Sequence, residues 1–222
     1  MTSTLRNSIL FIAISLASLG NVVAQVLDIS SGGVPTITGA QNGSVTGSTS
    51  VTTDLAFTIN LGEISPINTN NIVKVVIPIA IRSQQPYQVS VSVSGATNAN
   101  IQALQRSDIG FGVNNIRALG PQAKVCTLSQ HIFYSPFNND PTVNVTTNSN
   151  GRVAYASTLA NLGASTVILS GPRLSSNSNP NRQGNDGYVF NAIFAVTPQF
   201  YAAGTTSLLL TFTIAAGPNV PC

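Results

Sequence analysis

The chain has 222 residues, of which 43% are hydrophobic and 7% charged, and its formal net charge is +3. That apolar content excludes a disordered chain, which needs low hydrophobicity or high net charge. The few Lys and Arg residues are too scattered for a nucleic-acid footprint, so the folded surface is expected to be solvated mainly by Ser, Thr, Asn and Gln.

Arg6 precedes a short apolar run over residues 9–17, and Val22-Val23-Ala24 offers modest side chains ahead of Gln25. Positive, apolar and small in that order is the pattern of a secretory signal peptide. The run is shorter than the roughly 20 residues of a membrane span. The expectation is a leader over 1–24 and a single secreted domain over 25–222, with no membrane span in the mature form. Loss of Arg6 leaves eight basic residues against six acidic, taking the net charge from +3 to +2.

In chain order, Leu55, Phe57, Ile59 and Leu61 alternate with Asp54, Ala56, Thr58 and Asn60. A period of two puts each set on one face of a pleated strand. Residues 72–82 are apolar on both faces and contain Pro78, which lacks a donor and so marks an edge, a bulge or a break. Tyr87, Val89, Val91 and Val93 alternate with polar neighbours. Residues 98–106 predict a short helical turn or two. Ile109, Phe111 and Val113 alternate with Gly110 and Gly112, predicting a short strand with little on its second face. Further strands are expected over 125–134, 143–147, 152–157, 167–170 and 188–196. A second helical turn is expected over 158–163, ended by Gly163. Last come Leu208, Leu210, Phe212 and Ile214, alternating with Leu209, Thr211 and Thr213. Between these runs lie clusters of turn formers: Gly32-Gly33, residues 68–71, 137–141 and 148–151, and the long loop 175–187. Many short strands with no long helix predict an all-β sandwich or an incomplete barrel.

Cys126 and Cys222 are an even pair, which in a secreted chain reads as a disulfide. Closing a loop of that length contributes roughly 4–5 kcal/mol on the chain-entropy view and ties down the C-terminal tail. The alternatives are two thiols, or a bond to another chain.

Few residues in the chain point to chemistry. The single histidine, His131, cannot build a His-rich metal site. A serine triad around it has no Gly-x-Ser-x-Gly elbow to support it. A structural histidine in an apolar-aromatic stretch is the expectation. The acids Asp28, Asp54, Glu63, Asp108, Asp140 and Asp186 are dispersed, and none forms the paired carboxylates of a glycosidase on one strand. Asn138-Asn139-Asp140 and Asn185-Asp186-Gly187 are fragments of a calcium site at most, and each reads first as a turn. Gly110-Phe111-Gly112 is not followed by a helix signal, so a nucleotide reading fails. The chain has no Trp, which lowers a sugar-stacking reading, although Tyr87, Tyr134, Tyr155, Tyr188 and Tyr201 offer rings. Asn42-Gly43-Ser44 and Asn144-Val145-Thr146 fit the N-glycosylation pattern. No catalytic residue, cofactor or metal is expected.

Residues 200–208 (Phe-Tyr-Ala-Ala-Gly-Thr-Thr-Ser-Leu), followed by alternation to Ile214, resemble the last strand of bacterial fimbrial subunits and of spore-coat-protein-U-like domains. Residues 82–87 (Arg-Ser-Gln-Gln-Pro-Tyr) leading into Val89-Ser90-Val91-Ser92 resemble a mid-domain strand of the same proteins. Together they cover a minor part of the mature chain. The resemblance implies an immunoglobulin-like antiparallel β-sandwich with little helix, secretion, and assembly into a surface structure. Fimbrial subunits complete one another's sheets by strand addition. Here the last strand is followed by residues 215–222, and residues 25–36 lack a long apolar alternation suited to donation.

These readings lead to a secreted structural or adhesive surface protein, non-catalytic, of a pilus, coat or matrix. It would lie outside the cell or at its surface, with periplasmic transit in a Gram-negative host. Its partners would be copies of itself or other surface-structure subunits. The alternative is an extracellular carbohydrate-binding module using the long loops and tyrosines, and after it a hydrolase using His131 or the scattered carboxylates.

Overall fold

A computed structural model describes residues 27–47, 53–64, 72–95, 100–119, 130–143, 145–147, 149, 152–173, 187–202, 208–218 and 220. The expected leader, both cysteines, most of the loop 175–187, Asn144 and Asp186 lie outside the described residues. Among the described residues the elements are, in order, β1 (Leu27–Ser31), β2 (Thr36–Thr38), β3 (Ser44–Gly47), β4 (Asp54–Asn60), β5 (Val73–Ser83), β6 (Tyr87–Ser94), β7 (Gly110–Ala118), β8 (Ile132–Phe133), β9 (Thr146–Thr147), β10 (Val153–Ala154), β11 (Thr166–Gly171), β12 (Tyr188–Val196) and β13 (Leu208–Ala216), with short 3-10 turns at Arg106–Asp108 and Leu159–Asn161.

The strands form an all-β antiparallel sandwich. Sheet one runs β1-β5-β12-β7, with β2 also on β5; sheet two runs β3-β4-β13-β6-β11-β8; β9 and β10 form a separate hairpin. The two-residue rhythm decides which side chains turn inward. Leu55, Phe57 and Ile59 of β4, Tyr87, Val89 and Val91 of β6, and Leu208, Leu210, Phe212 and Ile214 of β13 are buried on one side of a single core. Val73, Val75, Ile77, Ile79 and Ile81 of β5, with Phe190 and Phe194 of β12 and Phe111 of β7, belong to the same core from sheet one. Ring pairs hold fixed geometry within each sheet: Phe57 meets Phe212 edge-on at 6.2 Å, and Phe111 lies 5.1 Å from Phe194. Phe133 and Phe190 join the two sheets at 6.4 Å.

Pro78 sits in an interior strand, and the reason is local. The Pro78 carbonyl accepts a bond from Gly32 N, so this residue's backbone turns toward the β1/β2 side of β5. Pairing on that side stops at Ser31↔Ile79 and resumes at Thr36↔Val76. The missing donor of Pro78 therefore falls at the break between two short strands, and the break is in the partner rather than in β5.

Several expected strands contract. Of 125–134 only β8 is a strand among the described residues, and 143–147 and 152–157 reduce to the two-residue β9 and β10. The turn expected over 158–163 is the 3-10 turn at Leu159–Asn161, whereas the other 3-10 turn, Arg106–Asp108, starts only at the last residue of the expected 98–106, whose described part holds a hydrogen-bonded turn from Asn100 O to Ala103 N. The strands β1, β2 and β3 carry too little alternation to be anticipated.

Phe212 is fully buried between β4 and β6. Phe212→Asp is expected to abolish folding, because an unpaired carboxylate there lacks any compensating bond and costs several kcal/mol. Circular dichroism and denaturant titration of the variant check this; a soluble, cooperatively unfolding Phe212→Asp protein would mean that β13 presents its other face to the core.

Candidate functional site

The strand β12 is buried on both faces. Tyr188, Phe190, Ala192, Phe194 and Val196 belong to the core, and Val189, Ile193 and Ala195 on the opposite face are buried as well. Residues 134–143 and 152–158 run along the outer edge of β7 as a strap and lie over Gly110 and Gly112, beside Ala195 and Ile193, whereas Val189 is approached from the Gly32 position.

Gly110 and Gly112 are opposite Ala195 and Ile193 in the ladder. A Cβ on Gly110 would stand 2.7 Å from the Tyr155 ring and 2.9 Å from Pro141 Cβ, and one on Gly112 would strike the Asn139 carbonyl. The second face of this strand, expected to be sparse, is bare so that the strap can lie on it. Val113 N donates to Phe137 O at 2.7 Å, Phe111 N to Ser157 O at 3.0 Å, and Leu159 N to Ile109 O at 3.0 Å. The Ser157 hydroxyl donates back to the Phe111 carbonyl. Phe137 tucks in from the edge, its ring 5.6 Å from that of Phe111. Further along, Asp140 accepts Lys74 Nζ of β5 at 2.7 Å, and its other oxygen accepts Thr142 N at 2.9 Å and Thr142 Oγ1 at 2.7 Å. Asn138-Asn139-Asp140 is thus a fastened turn, and among the described residues no three His, Cys, Asp or Glu side chains gather for a metal. Burial pushes the Asp140 carboxyl up, but the bonds from Lys74 and Thr142 outweigh it and hold the group below its ordinary value.

Where the strap returns, it leaves an open polar depression of about 480 Å³ lined by Ser107, Asp108, Arg152, Tyr155, Thr158 and Asn161, among others. The two 3-10 turns build it, and each is closed by a reciprocal box. Gln105 N donates to Asp108 Oδ2 at 2.9 Å, and Thr158 N donates to Asn161 Oδ1 at 2.8 Å. The buried Asp108 carboxylate lies 3.6 Å from the Arg152 guanidinium, which also reaches Gln102 Oε1 at 3.4 Å. Behind them the Tyr155 hydroxyl meets Thr197 Oγ1 at 2.8 Å and the Tyr201 hydroxyl donates to Thr197 O at 3.3 Å. Ala202 N donates to Gln102 O at 2.9 Å, joining two loops that carry Ile101 and Phe200, 73% and 84% exposed.

His131 does not line this depression. It is buried with its ring between Tyr87 (6.0 Å) and Tyr188 (4.9 Å), packed over Gly171, where a Cβ would stand 2.6 Å from its Cδ2. The other acids are structural ties too. Asp28 pairs with Arg82 directly across β1 and β5 at 3.0 Å, Asp54 accepts the Thr213 hydroxyl, and Glu63 makes a backbone bridge to Gln41. Asn42 is exposed in a turn with φ of 58°. Of the five tyrosines, Tyr155 lines the depression, and Tyr201 shares Thr197 with Tyr155 as a hydrogen-bond partner. Arg152, Gln102, Thr158 and Asn161 escaped sequence reasoning; the signal available was the pair of four-residue boxes, Gln105 with Asp108 and Thr158 with Asn161.

No protein-family model, curated protein or solved structure matches the chain. Among the described residues no helix is long and apolar enough to cross a membrane.

Burial raises the hydroxyl pKa of Tyr87, Tyr155, Tyr188 and Tyr201, with Tyr188 adding to Tyr87 and Asp108 adding to Tyr155 and Tyr201, while Thr197 opposes at Tyr155 and Arg152 at Tyr201. A raised folded-state value means stability that is complete below the ordinary tyrosine pKa of about 10 and lost as pH rises from there through the folded values. With no Trp to interfere, phenolate absorbance is a clean probe. Ionisation of these four is expected to lag the free amino acid and to arrive together with loss of the near-ultraviolet dichroism. Ionisation of these four near pH 10 (about the free value) with the fold intact would contradict their burial.

Proposed function

We propose that the protein is a secreted, non-catalytic structural or adhesive component of an extracellular surface assembly such as a pilus, coat or matrix. The observation that carries this reading is the outer face of sheet two. There Thr211 pairs with Ser92, Thr213 with Ser90, and Leu209 with both Ser94 and Thr58. These side chains alternate with the core set and are partly or fully exposed. The face is lined by hydroxyls and nearly devoid of charge, and a surface with little charge to repel its copies favours association.

The edges support a unit that joins others through faces and loops rather than by strand exchange. The outer strands β1, β2, β3 and β8 are five residues or fewer, and the strap bonds to β7 at Phe111 and Val113. Short or covered edges discourage strand addition. The commitment of Asp28, Asp108 and Asp140 to structural bonds supports a non-catalytic role. The likeness of residues 82–92 and 200–214 to fimbrial and coat subunits agrees with it, as does the leader-like N-terminus. The depression beside Arg152 and Tyr155 favours a second reading, a carbohydrate-binding module, which is compatible with adhesion.

Fractionation of the native host and sizing of the purified mature chain test the reading. The protein is expected in the surface fraction and in species larger than one chain. A strictly monomeric protein absent from surface fractions would overturn it.

A further inference from the structure

We propose that the depression between the two 3-10 turns binds a neutral sugar ring of a glycan; this rests on the adhesive reading and names the ligand of that site. Its volume, about 480 Å³, falls within the roughly 300–1,000 Å³ of small-molecule sites. Its chemistry is mixed in the way a polyol requires. Every sugar hydroxyl both donates and accepts, so it needs acceptors and donors side by side. Asp108 supplies a carboxylate that only accepts, Arg152 a guanidinium that only donates, and Ser107 and Thr158 hydroxyls that do both.

Charge selects within the sugars. Arg152 and Asp108 neutralise one another at 3.6 Å. An acidic sugar would set its carboxylate against that of Asp108, and a cationic ligand would meet Arg152. A neutral ring meets neither penalty. The site is also preorganised, since Asp108 is held by Gln105 N and Asn161 by Thr158, which lowers the ordering cost of binding.

Sugars carry an apolar face as well, which pairs with aromatic rings. Tyr155 lines the depression. Phe200, 84% exposed, stands in the loop that the Ala202–Gln102 bond ties to the Arg152 side of the site. Ile101, 73% exposed, stands in the loop to which that bond ties it, so the two open apolar side chains lie on adjoining loops.

The test uses the full mature chain on an array of neutral and carboxylated glycans, followed by calorimetric titration with the best neutral oligosaccharide on that array. Binding to neutral glycans is expected, weakened at least tenfold by Arg152→Gln and by Phe200→Ala. Phe200→Ala is expected to leave the melting temperature unchanged, because the ring is outside the core. No binding to any neutral glycan, binding of carboxylated glycans alone, or equal affinity in both variants would overturn the proposal. A protein present in surface assemblies but silent on the array removes the sugar site and leaves the surface role standing. A protein that binds neutral glycans yet is missing from surface fractions does the reverse.

Discussion

Burial of β12 on both faces is the constraint from which the remainder of sheet one follows. Antiparallel sheets commonly leave one face to water, and sheet two does so, with Ser90, Ser92, Thr211 and Thr213 outward. On β12 the outward residues Val189, Ile193 and Ala195 are apolar and need a cover. Beside Ile193 and Ala195 the strap of 134–143 and 152–158 lies over β7, and it seats there because β7 offers Gly110 and Gly112 where it crosses, while Val189 is approached from the Gly32 position. Side chains at those two positions would lift Tyr155 and Asn139 off the sheet.

The same strap sets the site. Bonds from Phe111 and Val113 fix its two passes along the edge of β7, and the return pass carries Arg152, Tyr155 and Thr158 to the turn that presents Asp108. Polar fasteners hold it from both sides: Lys74 with Asp140 on the sheet, and Asn139 with Ser157 at 3.0 Å within the strap. These bonds are partly buried and individually modest. Their effect is positional, since each one removes a way for the strap to slide. The depression is thus a by-product of closing the sandwich, lined by the polar residues that the closure leaves facing water.

Where one face was apolar and the other polar, the fold could be read directly. Leu55-Phe57-Ile59, Tyr87-Val89-Val91 and Leu208-Leu210-Phe212-Ile214 turn inward as their alternation requires. Pro78 correctly signalled a break but not its location, because the break belongs to the chain opposite, between Ser31 and Thr36. Gly110 and Gly112 looked like a weak strand, since a glycine records that something approaches without saying what. The site was less legible still. Asp108 meets Arg152 across more than forty residues of sequence, and each pair that frames it is held by a two-way cap that reads locally as an ordinary turn. His131, the most conspicuous titratable group in the sequence, proved to be a packing residue between two tyrosines.

Hydrogen exchange on the intact chain and on Gly112→Val tests the strap most directly. If the strap's seat on β7 is what buries β12 from outside, the substitution raises exchange across 137–158 and 188–196 while β13 keeps its protection. Unchanged protection of those two segments in Gly112→Val would contradict the account.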